Sequence, residues 1–408
     1  MPQISSRGKN ISLSPFRKLI SFSDKAKKEG KKVYHLNIGQ PDIETPAAAM
    51  QAVKDTDLKI LAYTQAIGNE SYRKKLVKYY RQYGLWLKPS EMIVTTGASE
   101  AILFLFLSCL SPGDEVIIPE PFYANYNGFA QMAGVVIKPI TCTIENGFAL
   151  PSIADFEAAI SEKTKAIFIT NPNNPTGCLY AEDVLVELSQ LVNVYDLFLF
   201  VDEVYREFCY DGGQFFSILN IEEISENVVV VDSISKRYSA CGARIGTIVS
   251  RNVDVINSIT KYAKLRLSPP GLAQIFAEAT LDMDGQYLEE VVKEYDRRRI
   301  LVFNRLKAMK GVVNYKPGGA FYAFAKLPID DGDRFCQWLL EDFDYNGATL
   351  MLAPGTGFYA TANLGKQEVR IAYVLNTDDL NKAMDCLENA LLVYPGRLVA
   401  EEVKTKTA

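Results

Sequence analysis

The chain has 408 residues, 48% hydrophobic and 23% charged, with a formal net charge of −5. At roughly 100–200 residues per domain this length allows two domains, or one large domain with a smaller companion. Recurring aromatic and branched apolar residues exclude disorder over most of it, and the acidic balance argues against a nucleic-acid-binding surface. The longest nearly apolar run, Ala101 to Leu110, falls short of the roughly 20 residues that cross a bilayer. The opening Met1-Pro2-Gln3-Ile4-Ser5-Ser6 has no basic patch leading into an apolar stretch, so a secretory signal is not expected and a cytoplasmic location is.

In chain order, short apolar runs rich in Val, Ile and Phe predict buried strands at Met92–Thr95, Glu115–Ile118, Val135–Ile140, Ala166–Thr170, Leu197–Asp202, Val228–Asp232 and Ile245–Val249. Helical patterns separate several of them, notably Ser99–Ser108 and Ala181–Tyr195. Such alternation predicts an α/β fold, with a mostly parallel sheet covered by helices on both faces. The interval from Asp232 to Ile245 shows no helical pattern, which predicts an antiparallel strand there. A long charged helical pattern, Asp284 to Met309, reads as a connector. Beyond it, strands at Ala320–Ala325, Ala348–Leu352 and Val369–Val374, with helices at Asp333–Leu340 and Thr377–Leu392, predict a second, smaller α+β domain. Two unequal domains should leave a ligand-binding cleft between them. The polar tail Ala400–Ala408 is expected to fray.

Two residue counts restrict the chemistry. The seven cysteines are scattered without a Cys-x-x-Cys pair and read as buried thiols in a reducing compartment, with no metal site. There is a single histidine, His35, which excludes a multi-histidine metal centre and any Ser-His-Asp triad built on another histidine. Proton transfer then falls to lysine, tyrosine or a carboxylate.

The candidates cluster at strand ends, where open parallel sheets bind ligands. One strand runs into Thr96-Gly97-Ala98-Ser99, another into Asn171-Pro172-Asn173-Asn174-Pro175-Thr176-Gly177, and a third into Asp202-Glu203-Val204-Tyr205. A fourth ends in Asp232-Ser233-Ile234-Ser235-Lys236, followed by Arg244 and Gly246. Each has an ordinary explanation on its own: a helix cap for Asp202, turn chemistry for the Asn-Pro and Pro-Thr-Gly steps, a solvated lysine for Lys236. Arg370, inside Val369-Arg370-Ile371-Ala372-Tyr373-Val374, needs an anionic partner to offset its burial.

Taken together and in this order, these motifs resemble the class I/II aminotransferases, enzymes of fold type I that depend on pyridoxal 5′-phosphate. The resemblance spans nearly the whole chain, from Leu36-Asn37-Ile38-Gly39-Gln40-Pro41-Asp42, through Tyr63-Thr64 and Gly68, to Pro317-Gly318-Gly319-Ala320-Phe321-Tyr322 and Val369-Arg370-Ile371-Ala372. It implies an aspartate aminotransferase-like fold: an N-terminal arm and part of the small domain over residues 1–45, a large cofactor-binding domain over 46–285, and a connector helix with the small domain over 286–408. It implies a Schiff base between the cofactor and Lys236, which then acts as nucleophile and general base in turn. Asp202 would hold the proton on the pyridine nitrogen, and Tyr205 and Asn174 would bond the ring's phenolic oxygen. The phosphate would rest on Gly97, Ala98 and Ser99 at a helix start, with Ser233, Ser235 and Arg244, while Tyr123 stacks on the ring. Arg370, with Asn174 and the backbone of Gly39, would grip the substrate carboxylate.

Members of the family are homodimers with shared active sites. By that resemblance Tyr63 is lent to the neighbouring phosphate, and the loop Lys261–Pro270 offers Lys264 or Arg266 to a distal carboxylate. Cys241-Gly242-Ala243-Arg244 departs from the commoner Thr-Gly-Trp-Arg, and Tyr126 stands where many aspartate-specific relatives carry histidine. The implied reaction moves an amino group between an α-amino acid, aspartate first, and a 2-oxo acid such as 2-oxoglutarate. A lyase or decarboxylase on the same fold is the alternative, and a non-catalytic regulatory module a more distant one.

Overall fold

The structure, a computed structural model, describes residues 2–11 and 18–398; the tail from Ala400 lies outside them. After β1 (Lys32–His35), seven strands form the central sheet: β2 (Met92–Thr95), β3 (Glu115–Glu120), β4 (Val136–Thr141), β5 (Thr164–Thr170), β6 (Phe198–Asp202), β7 (Val228–Ser233) and β8 (Gly246–Val249). Their order is β2-β8-β7-β6-β5-β3-β4. Every pairing is parallel except those of β8, which runs antiparallel to β2 and β7. The expected reversal is therefore present, because no crossover helix fills the interval after β7 and the chain turns back beside it.

The sheet's position follows from its composition. Val228 and Val230 enter one hydrophobic core with Tyr72, Leu188 and Val201, while Val229 and Val231 enter another with Phe106, Phe168 and Phe200. Strands buried on both faces read as continuous apolar runs rather than alternating ones. β4 departs from its expectation: it is half-exposed, because as the edge strand it has only β3 as a neighbour. Helices Gly97–Cys109 and Glu182–Val194 extend the expected ones by one or two residues or trim them. Helices at Ala47–Lys54, Glu70–Arg81, Asn125–Ala133, Val253–Arg266 and Gly271–Thr280 go beyond those the sequence pattern suggested. Among the described residues no helix is long and apolar enough to cross a membrane.

The connector helix runs Gln286–Ala308 and leads to β9 (Val313–Asn314), β10 (Tyr322–Lys326), β11 (Ala348–Met351), β12 (Ala353–Pro354) and β13 (Glu368–Ala372). The three strands expected here divide between two sheets. β10 and β13 lie in the four-stranded order β12-β13-β10-β9, whereas β11 pairs in parallel with β1, so residues 32–35 join this end of the molecule. Helices Gly332–Glu341 and Thr377–Val393 cover a core that includes Phe335, Leu339, Leu350, Ile371 and Leu387. The two units share a border. Phe324, Ala353, Phe358 and Tyr359 belong to a core of the large sheet. The buried Glu120 carboxylate accepts the backbone N–H groups of Ala360 (2.8 Å) and Thr361 (3.1 Å).

One close approach fixes the start of the helix after β2. A Cβ on Gly246 would lie 2.5 Å from the carbonyl carbon of Gly97 and 2.7 Å from the nitrogen of Ala98, both backbone atoms with little room to yield. Gly246→Ala is expected to destabilise the protein by about 1–3 kcal/mol and to displace the Gly97–Ser99 turn. Thermal unfolding of the variant, with an unchanged midpoint as the contrary result, checks this.

Candidate active site

The carboxyl ends of β5, β6 and β7, the first turn of helix Gly97–Cys109, the segment after β1, and residues of β10 and β13 enclose a cavity of about 270 Å³. Strand pairing places Thr170 opposite Asp202 and Asp202 opposite Val231, so the loops that follow emerge side by side. Lys236 lies in a single helical turn, Ile234–Arg237, capped by the Ser233 hydroxyl, which accepts the N–H of Ser235 at 3.2 Å.

Asp202 is buried at the floor. Its Oδ2 accepts the hydroxyl of Tyr126 at 3.0 Å and its Oδ1 the N–H of Val204 at 3.3 Å. Burial raises its pKa from an ordinary 3.8 to about 6; the Tyr126 and Val204 hydrogen bonds and nearby Lys236 limit the rise, and Asp232 adds to it. Lys236, half-buried, donates from Nζ to the Gly39 carbonyl at 2.7 Å, with the Cys241 sulfur 3.9 Å away. Burial opposes its charge, but Tyr322, Cys241 and Tyr123 outweigh that effect, and its pKa lies above the usual lysine value.

Arg370 is fully enclosed on β13. It donates to Asn174 Oδ1 at 3.0 Å and to the Asn37 carbonyl at 2.6 Å, and its guanidinium carbon lies 4.6 Å from the centre of the Tyr322 ring and 4.9 Å from that of Phe358. Burial lowers its pKa. The Tyr205 and Tyr322 hydroxyls share a hydrogen bond of 2.8 Å. Tyr322 also explains Gly39: a Cβ there would sit 1.8 Å from the tyrosine oxygen.

At the opposite end, Ala98, Ser99, Ser233, Ser235 and Arg244 line the wall. The Ser233 and Ser235 hydroxyls are 2.8 Å apart. Arg244 adopts a left-handed backbone (φ 56°) and donates to the Cys241 carbonyl at 2.9 Å. Gly97 (φ 75°) leaves room for it, since a Cβ would fall 2.3 Å from Arg244 Nη2.

The structure thus brings Gly39, Ala98, Ser99, Tyr123, Asn174, Asp202, Tyr205, Ser233, Ser235, Lys236, Arg244 and Arg370 to one cavity, with Gly97 directly behind it. Tyr63 is elsewhere and 78% exposed. The segment proposed as a loop from Lys261 is helical as far as Arg266, and Lys264 is exposed on it. Arg266 hydrogen-bonds within its own chain to Glu100 (2.7 Å), Thr96 (3.3 Å) and the carbonyls of Ala66 (2.9 Å) and Val94 (3.3 Å). Asn37, Ile38, Asn125, Thr170 and Tyr322 also line the cavity without having been assigned a role from sequence. Tyr322 was quoted only as the end of a glycine-rich motif, because its partners Tyr205 and Arg370 are remote in the chain. His35 does not line the cavity.

The donors suit one type of guest. A helix start, two hydroxyls and a guanidinium make a phosphate cup. A buried carboxyl and an amine on the same cavity suit a flat, protonatable heteroaromatic ring bearing an aldehyde. An α/β sheet whose strand ends assemble these groups is the framework of a pyridoxal phosphate-dependent transferase. The family profile described as aminotransferase class I and II matches residues 31–387, and the chain belongs to that family.

It is 32% identical over 366 residues to the aspartate aminotransferase of Pyrococcus horikoshii, covering 88% of this chain and 90% of that one. A double mutant of the Thermus thermophilus aspartate aminotransferase superposes with a TM-score of 0.88 at 29% identity, covering 96% of this chain and 100% of the other. The alanine aminotransferase of Pyrococcus furiosus gives 0.87 at 29% identity, covering 95% and 99%. The protein is an aminotransferase, of a family generally dependent on pyridoxal phosphate.

The raised carboxyl has a measurable consequence. Between about pH 4 and 6 the folded, cofactor-free protein keeps a proton on Asp202 that the unfolded chain has released, so this group's contribution to stability falls as pH rises through that window. Asp202→Asn should flatten that part of the profile. Denaturant midpoints of both proteins across the window test it, and identical slopes would contradict the assignment.

Proposed function

We propose that this aminotransferase holds pyridoxal 5′-phosphate on Lys236 and moves the amino group of an α-amino acid to a 2-oxo acid. Aspartate is the first donor to test and 2-oxoglutarate the first acceptor. The observation that carries the reading is the placing of the Lys236 amine, the buried Asp202 carboxyl and the Arg370 guanidinium on one cavity. The cofactor, when bound, supplies an electron sink for the carbanion left at the substrate α-carbon.

The chain's own groups do the rest. Gly97, Ala98, Ser99, Ser233, Ser235 and Arg244 would hold the phosphate, and Tyr123 would cover one ring face. The Asp202 carboxylate would retain a proton on the ring nitrogen, with Tyr126 fixing its orientation. Tyr205 and Asn174 reach the phenolic oxygen, Tyr205 braced by Tyr322. Arg370, held by Asn174 and Asn37, takes the α-carboxylate as a fork, which orients the α-hydrogen. Lys236 Nζ, once free, carries that proton.

Among the described residues, the cations lining the cavity are Lys236, Arg244 and Arg370, and all three are engaged in this scheme. A side-chain carboxylate such as that of aspartate therefore needs a cation from outside the cavity, and Lys264 of a second copy is the candidate. A contiguous apolar face supports such pairing. Leu61 and Tyr63 are 66% and 78% exposed, Leu265 and Leu267 are 81% and 53% exposed, and the Thr64 hydroxyl donates to Pro269 where the two segments meet. Large exposed apolar patches of this type mark association surfaces.

Two outcomes follow. Mixing the holoenzyme with a panel of amino acids should convert the bound cofactor to its amine form with release of the 2-oxo acid, and Lys236→Ala should lower turnover by about 10⁴-fold or more; ammonia or carbon dioxide release identifies a lyase or decarboxylase instead. Light scattering should give a mass about twice the 45.5 kDa of one chain. A monomer in full possession of activity would refute the shared site.

A further inference from the structure

Behind the wall that carries Lys236 lies a charge cluster with almost no access to water. Arg206, Glu203, Asp232, Arg237 and Glu207 have side chains no more than 5% exposed. Four of them adjoin cavity residues in sequence: Glu203 follows Asp202, Arg206 follows Tyr205, Asp232 precedes Ser233, and Arg237 follows Lys236.

Arg237 Nη2 donates to both oxygens of Asp232 at 2.5 Å and to the Ser233 carbonyl at 3.2 Å, while its Nη1 reaches Glu207 at 2.8 Å. Asp232 also accepts the Ser233 N–H (2.7 Å) and the Tyr80 hydroxyl (3.1 Å). Arg206 pairs with Glu203 at 3.1 Å and stands 3.5 Å from Asp232. Its guanidinium rests among the rings of Tyr79, Tyr80, Tyr83 and Phe215. Removing several charges from water is costly, and such pairs seldom stabilise a fold better than apolar residues of the same size would. What this cluster does supply is position, because it ties the ends of β6 and β7 and the Ile234–Arg237 turn together from behind.

We propose that Arg237 is a positioning residue for Lys236: paired with Asp232 and Glu207, it anchors the turn that presents the lysine and balances the negative charge beneath it. The inference rests on the reading of Lys236 as the cofactor's attachment point. On the cavity side Lys236 faces Tyr322, Cys241, Tyr123 and Arg370, and Asp202 lies within electrostatic reach. On the far side stand Asp232, Glu207 and Glu203, with Arg206 and Arg237 opposing them. The phenols of Tyr72, Tyr79 and Tyr80 adjoin that side, as does that of Tyr238.

The test compares Arg237→Met, Asp232→Asn, the double variant, Glu207→Gln and Arg237→Lys, each loaded with pyridoxal phosphate. Two quantities are measured: the pH midpoint of the bound cofactor's visible absorbance change, and cofactor affinity by equilibrium dialysis. Removing the cation should raise the midpoint by about one unit. Removing either carboxylate should lower it, the double variant should return toward wild type, and Arg237→Lys should recover most of the affinity lost in Arg237→Met. A purely structural role predicts loss of thermal stability with midpoints unmoved, or moved in the same direction by both kinds of variant, and either result overturns the proposal. If Arg237→Met does not fold, lowered midpoints in both Glu207→Gln and Asp232→Asn with an unmoved midpoint in Arg237→Lys still support the proposal, and unmoved carboxylate variants overturn it. A wild-type protein that binds no cofactor defeats the Lys236 reading itself; a coloured wild type with unmoved variants defeats only the role of Arg237.

Discussion

Neighbouring strands in a sheet lie about 4.8 Å apart, and β5, β6 and β7 are successive neighbours that all point the same way. Whatever follows their carboxyl ends is therefore crowded into a space little wider than one aromatic ring. Asn174 follows β5, Asp202 ends β6 and Lys236 follows β7, so an amide, a carboxyl and an amine meet there although they are far apart in sequence. The valine-rich interiors of the strands hold that convergence in place, since both faces are packed and no strand can shift register without exposing a core.

The convergence puts charged groups where water is scarce, and the protein responds differently at each. Asp202 shares its burden with the Tyr126 hydroxyl and a backbone N–H. Arg370 lies against the aromatic rings of Tyr322 and Phe358 and donates to an amide oxygen and a carbonyl. Arg237 is instead paired with two carboxylates, those of Asp232 and Glu207, and does not line the cavity. Consecutive residues, Lys236 and Arg237, thus serve opposite sides of the same wall.

Much of this was legible in the sequence because it is local. The apolar runs located the central strands to within a few residues, and the missing helix after Asp232 foretold the reversal at β8. The strand-end motifs named the residues that meet in the cavity. What escaped is non-local. β1 is four residues whose partner, β11, lies more than 300 positions away, and no periodicity announces such a pairing. β4 has the composition of a buried strand but occupies an edge. Arg266 has the charge expected of a substrate-binding residue, yet Glu100 and two carbonyls already claim it, and only the three-dimensional path of the chain reveals that competition. The cluster around Arg206 was invisible for the same reason: isolated charges in a sequence look solvated.

The contact of Gly246 with Gly97 joins the two walls of the proposed phosphate cup, which are contributed by segments on either side of β3 to β7. A growing polypeptide on the ribosome carries the first wall early and acquires the second only after its eighth strand has emerged, with the Arg370 fork later still. The residues proposed to hold a phosphate are therefore all synthesised before Arg370, the one proposed to grip a carboxylate.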